Sequence, residues 1–145
     1  MRALIQRVTH ATVRCGEEQR SIEAGFLILL GVAKDDEEAD ADHLARKTVR
    51  LRIFENEQGK LDKSLTDIQG QALIVSQFTL YGDCRKGNRP SFDRAADADL
   101  ARRLYRRYQE QVAAAGIPVV SGFFQEHMAV TLCNDGPVTI LLESR

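Results

Sequence analysis

Apolar and polar positions along the chain fall into several short runs of strand type and two stretches with helical spacing. Residues 2–14 are rich in Ile, Val and Thr and predict a first strand. A turn around Cys15-Gly16-Glu17 closes it, and a short strand follows at 18–23. Residues 25–32 (GFLILLGV) form a continuous apolar run bounded by glycine, the pattern of a strand covered on both faces. A helix is predicted over 37–51, with Asp35 or Asp36 as N-cap, acids first and Arg46, Lys47 and Arg50 later. Ala41, Leu44, Ala45, Thr48 and Leu51 recur on it as one buried stripe. After a polar connection through Asn56-Glu57-Gln58-Gly59, residues 72–80 (ALIVSQFTL) predict another strand. A second helix is predicted over 97–115, with the stripe Leu100, Leu104, Tyr108, Gln111, Val112 and Ala115, ended by Gly116 and Pro118. Strands at 118–122, 128–133 and 138–143 follow. The last two are separated by Asn134-Asp135-Gly136, residues that tolerate the positive φ of a tight turn. This order predicts one α/β domain over residues 1–145, a mixed sheet of about seven strands packed by two main helices.

Composition changes this picture little. The 145 residues are 43% hydrophobic and 28% charged, the balance of an ordinary soluble globular domain. No secretory leader pattern opens the chain, and its longest apolar run, residues 26–30, is too short to cross a bilayer. Cysteines at 15, 84 and 133 are odd in number and form no CxxC pair, which predicts free thiols and a cytoplasmic protein. The net charge of −1 is uninformative, but its distribution is uneven. Residues 34–42 hold six acids against one base, and residues 85–107 hold eight bases against three acids. The second segment has the charge of a phosphate-backbone footprint, although solvated helix faces share that composition.

Familiar catalytic signatures are missing: no GxSxG, HExxH, GxxxxGK[ST] or GxGxxG occurs. His10, His43 and His127 have no metal-ligand spacing to one another or to the cysteines. Cys84, flanked by Asp83, Arg85 and Lys86, is a candidate low-pKa nucleophile. It has no histidine nearby in sequence, so a bystander thiol is the favoured reading. What stands out is the strand end at 75–82, where Ser76, Gln77 and Thr79 interrupt an apolar run. Alternation places Ser76, Phe78 and Leu80 on one face and Gln77, Thr79 and Tyr81 on the other. Such a strand end suits the lip of a pocket. The long basic loop at 83–89 beside it suits a phosphate-bearing substrate. Pro137 gives up a backbone donor where the last strand begins, either to stiffen a turn or to hold a rigid surface.

With SQFTL at 76–80, RPSF at 89–92 and NDGPVT at 134–139 in this order, the chain resembles the D-aminoacyl-tRNA deacylases of the bacterial and eukaryotic type. The N-terminal ALIQRV and LLGVAKDD agree, and the resemblance covers essentially the whole chain. It departs at 121–128, which reads Ser-Gly-Phe-Phe-Gln-Glu-His-Met where Gly-Arg-Phe, small residues and Met are expected. The resemblance implies barrel-like layers, a homodimer and an ester hydrolase without metal or cofactor. Its reaction releases a D-amino acid, or glycine, from the 3′ acceptor end of tRNA. It implies that Ser76, Gln77, Phe78 and Thr79 form the catalytic pocket, with main-chain N–H groups near Phe78 and Thr79 facing the carbonyl oxygen. Thr79 is the side-chain nucleophile candidate, but nothing near it in sequence resembles a base. Attack by a water assisted by the ribose 2′-OH is therefore preferred. The resemblance further implies a cis Gly136-Pro137 unit that reaches into the partner subunit's site and excludes L-residues, with Arg7 as its clamp. Arg85, Lys86 and Arg89 are the candidate tRNA contacts. The competing expectations are a non-enzymatic RNA-binding or assembly module of the same fold, and a cysteine hydrolase using Cys84.

Overall fold

The computed structural model describes residues 1–145. In chain order the elements are β1 (Arg2–Cys15), β2 (Glu18–Ile22), β3 (Gly25–Gly31), α1 (Glu38–Val49), β4 (Phe54–Glu55) and β5 (Leu61–Lys63). They continue with β6 (Gln71–Ser76), a 3-10 turn (Phe78–Tyr81), α2 (Ala98–Ala114), β7 (Val119–Ser121) and β8 (Ala129–Glu143). β1 is long enough to serve three partners. One edge takes β3 and then β2, and the other takes β8 along nearly its whole length, all antiparallel. β6 adds to β3, and β7 to β6, in parallel, with α1 and α2 as the crossovers. The sheet curls into a nearly closed barrel. Arg20 of β2 stitches the gap, donating to Ser121 O at 2.9 Å and lying 3.9 Å over the Phe123 ring.

Two apolar layers hold this arrangement. Phe26, Ile28 and Leu30 of β3, with Ala72 and Ile74 of β6, pack beneath the helices. The alternate residues Leu27, Leu73 and Val75 fill the barrel with Val8, Ala11 and Val13. β3 is thus covered on both faces, as its unbroken apolar run predicts. α1 buries Ala41, Leu44, Ala45 and Thr48, whereas Leu51 falls beyond the helix. Its N-cap is Glu37. Asp36 is drawn away to bind the Met1 ammonium at 2.6 Å and the Ala33 N–H at 2.6 Å. Asp97 caps α2 by accepting from Leu100 N–H at 2.9 Å, and Tyr105 joins Leu104, Tyr108 and Val112 on its buried side. Thr48 Oγ1 and Tyr108 Oη, 2.6 Å apart, tie the two helices together.

Three further expectations are corrected. The strand predicted at 72–80 stops at Ser76, and the chain turns over in the 3-10 turn. The cause lies in β3: Gln77 N–H takes the Leu30 carbonyl at 2.8 Å, the last ladder bond. Beyond it Gly31 presents no side chain. A Cβ there would lie 3.1 Å from Gln77 O and 3.2 Å from Leu80 Cβ, so the turn packs over bare backbone. The predicted alternation of faces therefore fails, with Phe78 57% exposed and Tyr81 buried.

The second correction concerns residues 128–143. They form one strand on one partner instead of two strands joined by a tight turn. Gln6 pairs with Thr139 and Val8 with Asn134, so residues 135–138 bulge out opposite the single residue Arg7. Asn134 closes the excursion through its side chain, which accepts from Val138 N–H at 2.7 Å and donates to Val138 O at 3.2 Å. The third is the small β4–β5 hairpin within the expected polar connection, anchored by Phe54 stacked on Phe26 at 5.2 Å.

Candidate active site

The exit of β6 opens on a cavity of about 670 Å³. Ser76, Gln77 and Phe78 form one lip. Ala96, Ala98 and Ala101, leading into and along α2, form a wall with no bulk, and Phe124, Met128 and Val130 form the opposite apolar wall. Gln77 Nε2 donates to Thr79 Oγ1, which fixes that hydroxyl beside the lip. No histidine or carboxylate bonds to Thr79, so its hydroxyl has no base. Phe78 and Thr79 begin the 3-10 turn, and the first N–H groups of such a turn have no acceptor within it. The Phe78 ring meets Phe92 edge-on at 5.0 Å. The site thus offers main-chain donors, an oriented hydroxyl and an apolar chamber large enough for a nucleoside-sized group.

Segment 121–128, where the sequence departs from its expected pattern, supplies the chamber's rim through Gln125, Glu126 and His127. Gln125 sits at φ 61°, a left-handed conformation that favours glycine. It is held there by Arg102, which donates to Gln125 Oε1 at 2.9 Å and lies 4.5 Å over the Phe124 ring. Neither the alanine wall nor this rim was identified from sequence. Alanines at a helix start look like ordinary packing, and only the departure at 121–128 marked the second.

Arg7, Gly136 and Pro137 come together elsewhere. Arg7 is only 6% exposed. It donates from Nε to Asp135 O and from Nη1 to Ile53 O, both at 2.7 Å. The Asp135 and Glu55 carboxylates lie 3.8 and 4.0 Å from the guanidinium. The Gly136-Pro137 peptide bond is cis, and Gly136 has φ 148°. A Cβ there would lie 2.7 Å from Val138 Cγ2, so only glycine fits. Both residues are exposed, and neither lines the cavity at Ser76 within the same chain.

The basic loop is closed at its base by paired main-chain bonds between Asp83 and Ser91. Arg85 folds back on Asp83 at 2.6 Å and holds that carboxyl down at about 2, whereas Lys86 and Arg89 extend into solvent without an ion pair. Cys84 is exposed in a different cleft from the one His127 borders, so the two form no catalytic pair. No three His, Cys, Asp or Glu side chains gather as a metal-ligand set. No helix is long and apolar enough to cross a membrane.

The chain belongs to the D-Tyr-tRNA(Tyr) deacylase family, whose sequence model matches residues 4–143. It is 56% identical to a D-aminoacyl-tRNA deacylase of Geotalea daltonii, over 99% of this chain and 97% of the relative. It is 52% identical to one of Symbiobacterium thermophilum, over 99% and 96%. Among solved structures it superposes on the c-Myc DNA unwinding element binding protein with a TM-score of 0.94 at 42% identity, covering 100% of this chain and 99% of that one. A probable eukaryotic D-amino acid tRNA deacylase shares the fold, with a TM-score of 0.85 at 18% identity and 98% of each chain covered.

Proposed function

We infer that the protein is a D-aminoacyl-tRNA deacylase: it hydrolyses the ester that joins a D-amino acid, or glycine, to the terminal ribose of tRNA. The observation that carries this reading is the chamber at the β6 exit, with unpaired main-chain donors at its lip and no activated side-chain nucleophile. The Phe78 and Thr79 N–H groups receive the ester carbonyl oxygen and stabilise the charge that grows on it in the transition state. Water adds to the carbonyl carbon, the bond to the ribose oxygen breaks, and that oxygen takes the proton. The adjacent 2′-OH assists the transfer. Thr79 positions, because its hydroxyl is engaged by Gln77 and lacks a base. Holding the reacting groups in register supplies much of the rate.

Chiral selection in this reading belongs to Gly136-Pro137, a wall that clashes with an L side chain and leaves room for hydrogen. The wall serves the partner's chamber in a homodimer. Two observations support this. The pair is exposed and absent from its own chain's cavity, and β8 leaves a fifteen-residue edge with no partner strand. A strand edge without a partner can pair with a second copy. Lys86 and Arg89 contact the acceptor strand, with Arg85 held closer to the protein by Asp83. Three free cysteines suit a reducing cytoplasm.

A second reading, a nucleic-acid-binding module without catalysis, is favoured by one observation: the 42% identical solved relative is named for binding a DNA element. Single-turnover assays separate these. Thr79→Ala should keep substantial activity, and a substrate lacking the terminal 2′-OH should react poorly. A dead, folded Thr79→Ala with full activity on the 2′-deoxy substrate would make Thr79 the nucleophile. Tight tRNA binding without amino-acid release by the unaltered protein would favour the module.

A further inference from the structure

A second cleft, about 450 Å³, lies at the far end of the 3-10 turn and is lined by Arg2, Tyr81, Asp83, Cys84, Arg85 and Arg94. Its floor is the Tyr81 ring, and two guanidinium groups converge on that ring, Arg2 at 4.8 Å and Arg94 at 5.5 Å. Arg2 is balanced by Glu143 at 2.7 Å and anchored on Leu80 O at 2.8 Å, and Arg85 is balanced by Asp83. Arg94 makes no ion pair, so the cleft carries an uncompensated positive charge. Tyr81 is only 5% exposed, yet its hydroxyl bonds to no protein acceptor. A buried phenol normally finds a partner. The Tyr81 hydroxyl instead keeps contact with solvent, since no fully buried side-chain polar atom of the molecule lacks a partner.

We propose that the Tyr81–Arg94–Arg2 cleft binds a phosphodiester of the tRNA 3′ strand, upstream of the terminal ribose. Guanidinium forks match phosphate oxygens in geometry as well as charge, and a phenolic hydroxyl adds a neutral donor. The position fits the strand's reach. Tyr81 follows Phe78 by three residues of a 3-10 turn, about 6 Å of rise. That is the scale of a short step along the strand. The proposal rests on the deacylase reading for where the terminal ribose sits, and it adds Arg2, Tyr81 and Arg94 to the candidate contacts on the 83–89 loop.

The test uses Arg94→Gln, whose exposed side chain makes no ion pair and lies over the Tyr81 ring. Deacylated tRNA should bind about tenfold more weakly, with the salt slope reduced by about one. In turnover, KM for D-tyrosyl-tRNA should rise about tenfold at unchanged kcat, while 3′-O-D-tyrosyl-adenosine, which has no phosphate, reacts as before. Arg94→Lys should recover part of the binding, and Tyr81→Phe should lose a smaller share. Equal losses on both substrates would make Arg94 merely structural and overturn the proposal. Unchanged tRNA binding, with millimolar inorganic phosphate still protecting the unaltered protein from unfolding but not the variant, would assign the cleft to a small anion and also overturn it. Should the unaltered protein release no amino acid, the binding arm would still decide the cleft, and the deacylase reading alone would fall.

Discussion

Replacing Arg7 with lysine keeps the charge and removes the fork. The guanidinium spans two main-chain carbonyls, Asp135 O from Nε and Ile53 O from Nη1, each at 2.7 Å. One joins it to the bulge that carries Gly136-Pro137, and the other to the segment entering β4. A single ammonium cannot reach both from the same stem, so one carbonyl in a largely buried setting loses its donor. Losing one charge-assisted hydrogen bond costs about 2 kcal/mol. In a domain of this size that lowers Tm by about 6 °C. Arg7→Ala, which also strips the stem and strands both carbonyls, costs about 3–5 kcal/mol. Urea unfolding followed by far-UV circular dichroism reads the stability. The chiral consequence is read separately, as the ratio of D- to L-tyrosyl-tRNA hydrolysis. A loosened bulge should lower that ratio at least about tenfold, which is about 1.4 kcal/mol of lost discrimination, with the β6 exit left intact. An Arg7→Lys protein with unaltered midpoint and unaltered ratio would refute the clamp.

Thr48→Val leaves the fully buried Tyr108 hydroxyl without its 2.6 Å partner and should cost about 2 kcal/mol, part of it recovered in Thr48→Val/Tyr108→Phe; strict additivity in urea titrations would deny the coupling. All three tyrosines have raised pKa values, Tyr81 and Tyr105 to about 12, chiefly because burial disfavours the phenolate. The stability they contribute is whole below about pH 10 and is lost as pH rises towards 12, so tyrosinate absorbance of the folded protein should appear only as pH nears 12; a rise centred near pH 10 while the fold is intact would contradict this. Asp40 is held well below the usual carboxylate range, first by its hydrogen bonds to Arg145, so that pair stabilises the fold above about pH 4 and less as pH falls. Arg145→Ala should therefore be less stable at pH 7 and converge on the unaltered protein towards pH 2, and a constant gap would argue against the pair.

Periodicity made the helices and the inner strands legible because each buries a contiguous stripe of its own residues, as in α1 from Ala41 to Thr48. It misled where a distant residue decides. The SQFTL segment alternates like a strand, yet the bare backbone of Gly31, some 45 positions earlier, lets it fold over as a turn. Asn134-Asp135-Gly136 has the chemistry of a hairpin, yet Asn134 uses its side chain to return the chain to β1. Of the site, the polar break at residues 76–79 and the proline at 137 stand out in the sequence itself, whereas their roles, and Arg7, come from family resemblance. Nothing in their spacing predicts that Arg7 lies opposite the bulge it holds. The chamber walls stayed hidden for a different reason: Ala96, Ala98, Ala101 and Met128 matter for the space they leave, and space has no pattern along a sequence.

One paired measurement tests stereospecific ester hydrolysis without a resident metal directly. D-tyrosyl-tRNA and L-tyrosyl-tRNA, charged on the same tRNA, are incubated with the purified protein in the presence of a chelator, and release of free tyrosine is followed. The D ester should be lost rapidly while the L ester decays only at its spontaneous rate. Equal hydrolysis of both, or of neither, would contradict it.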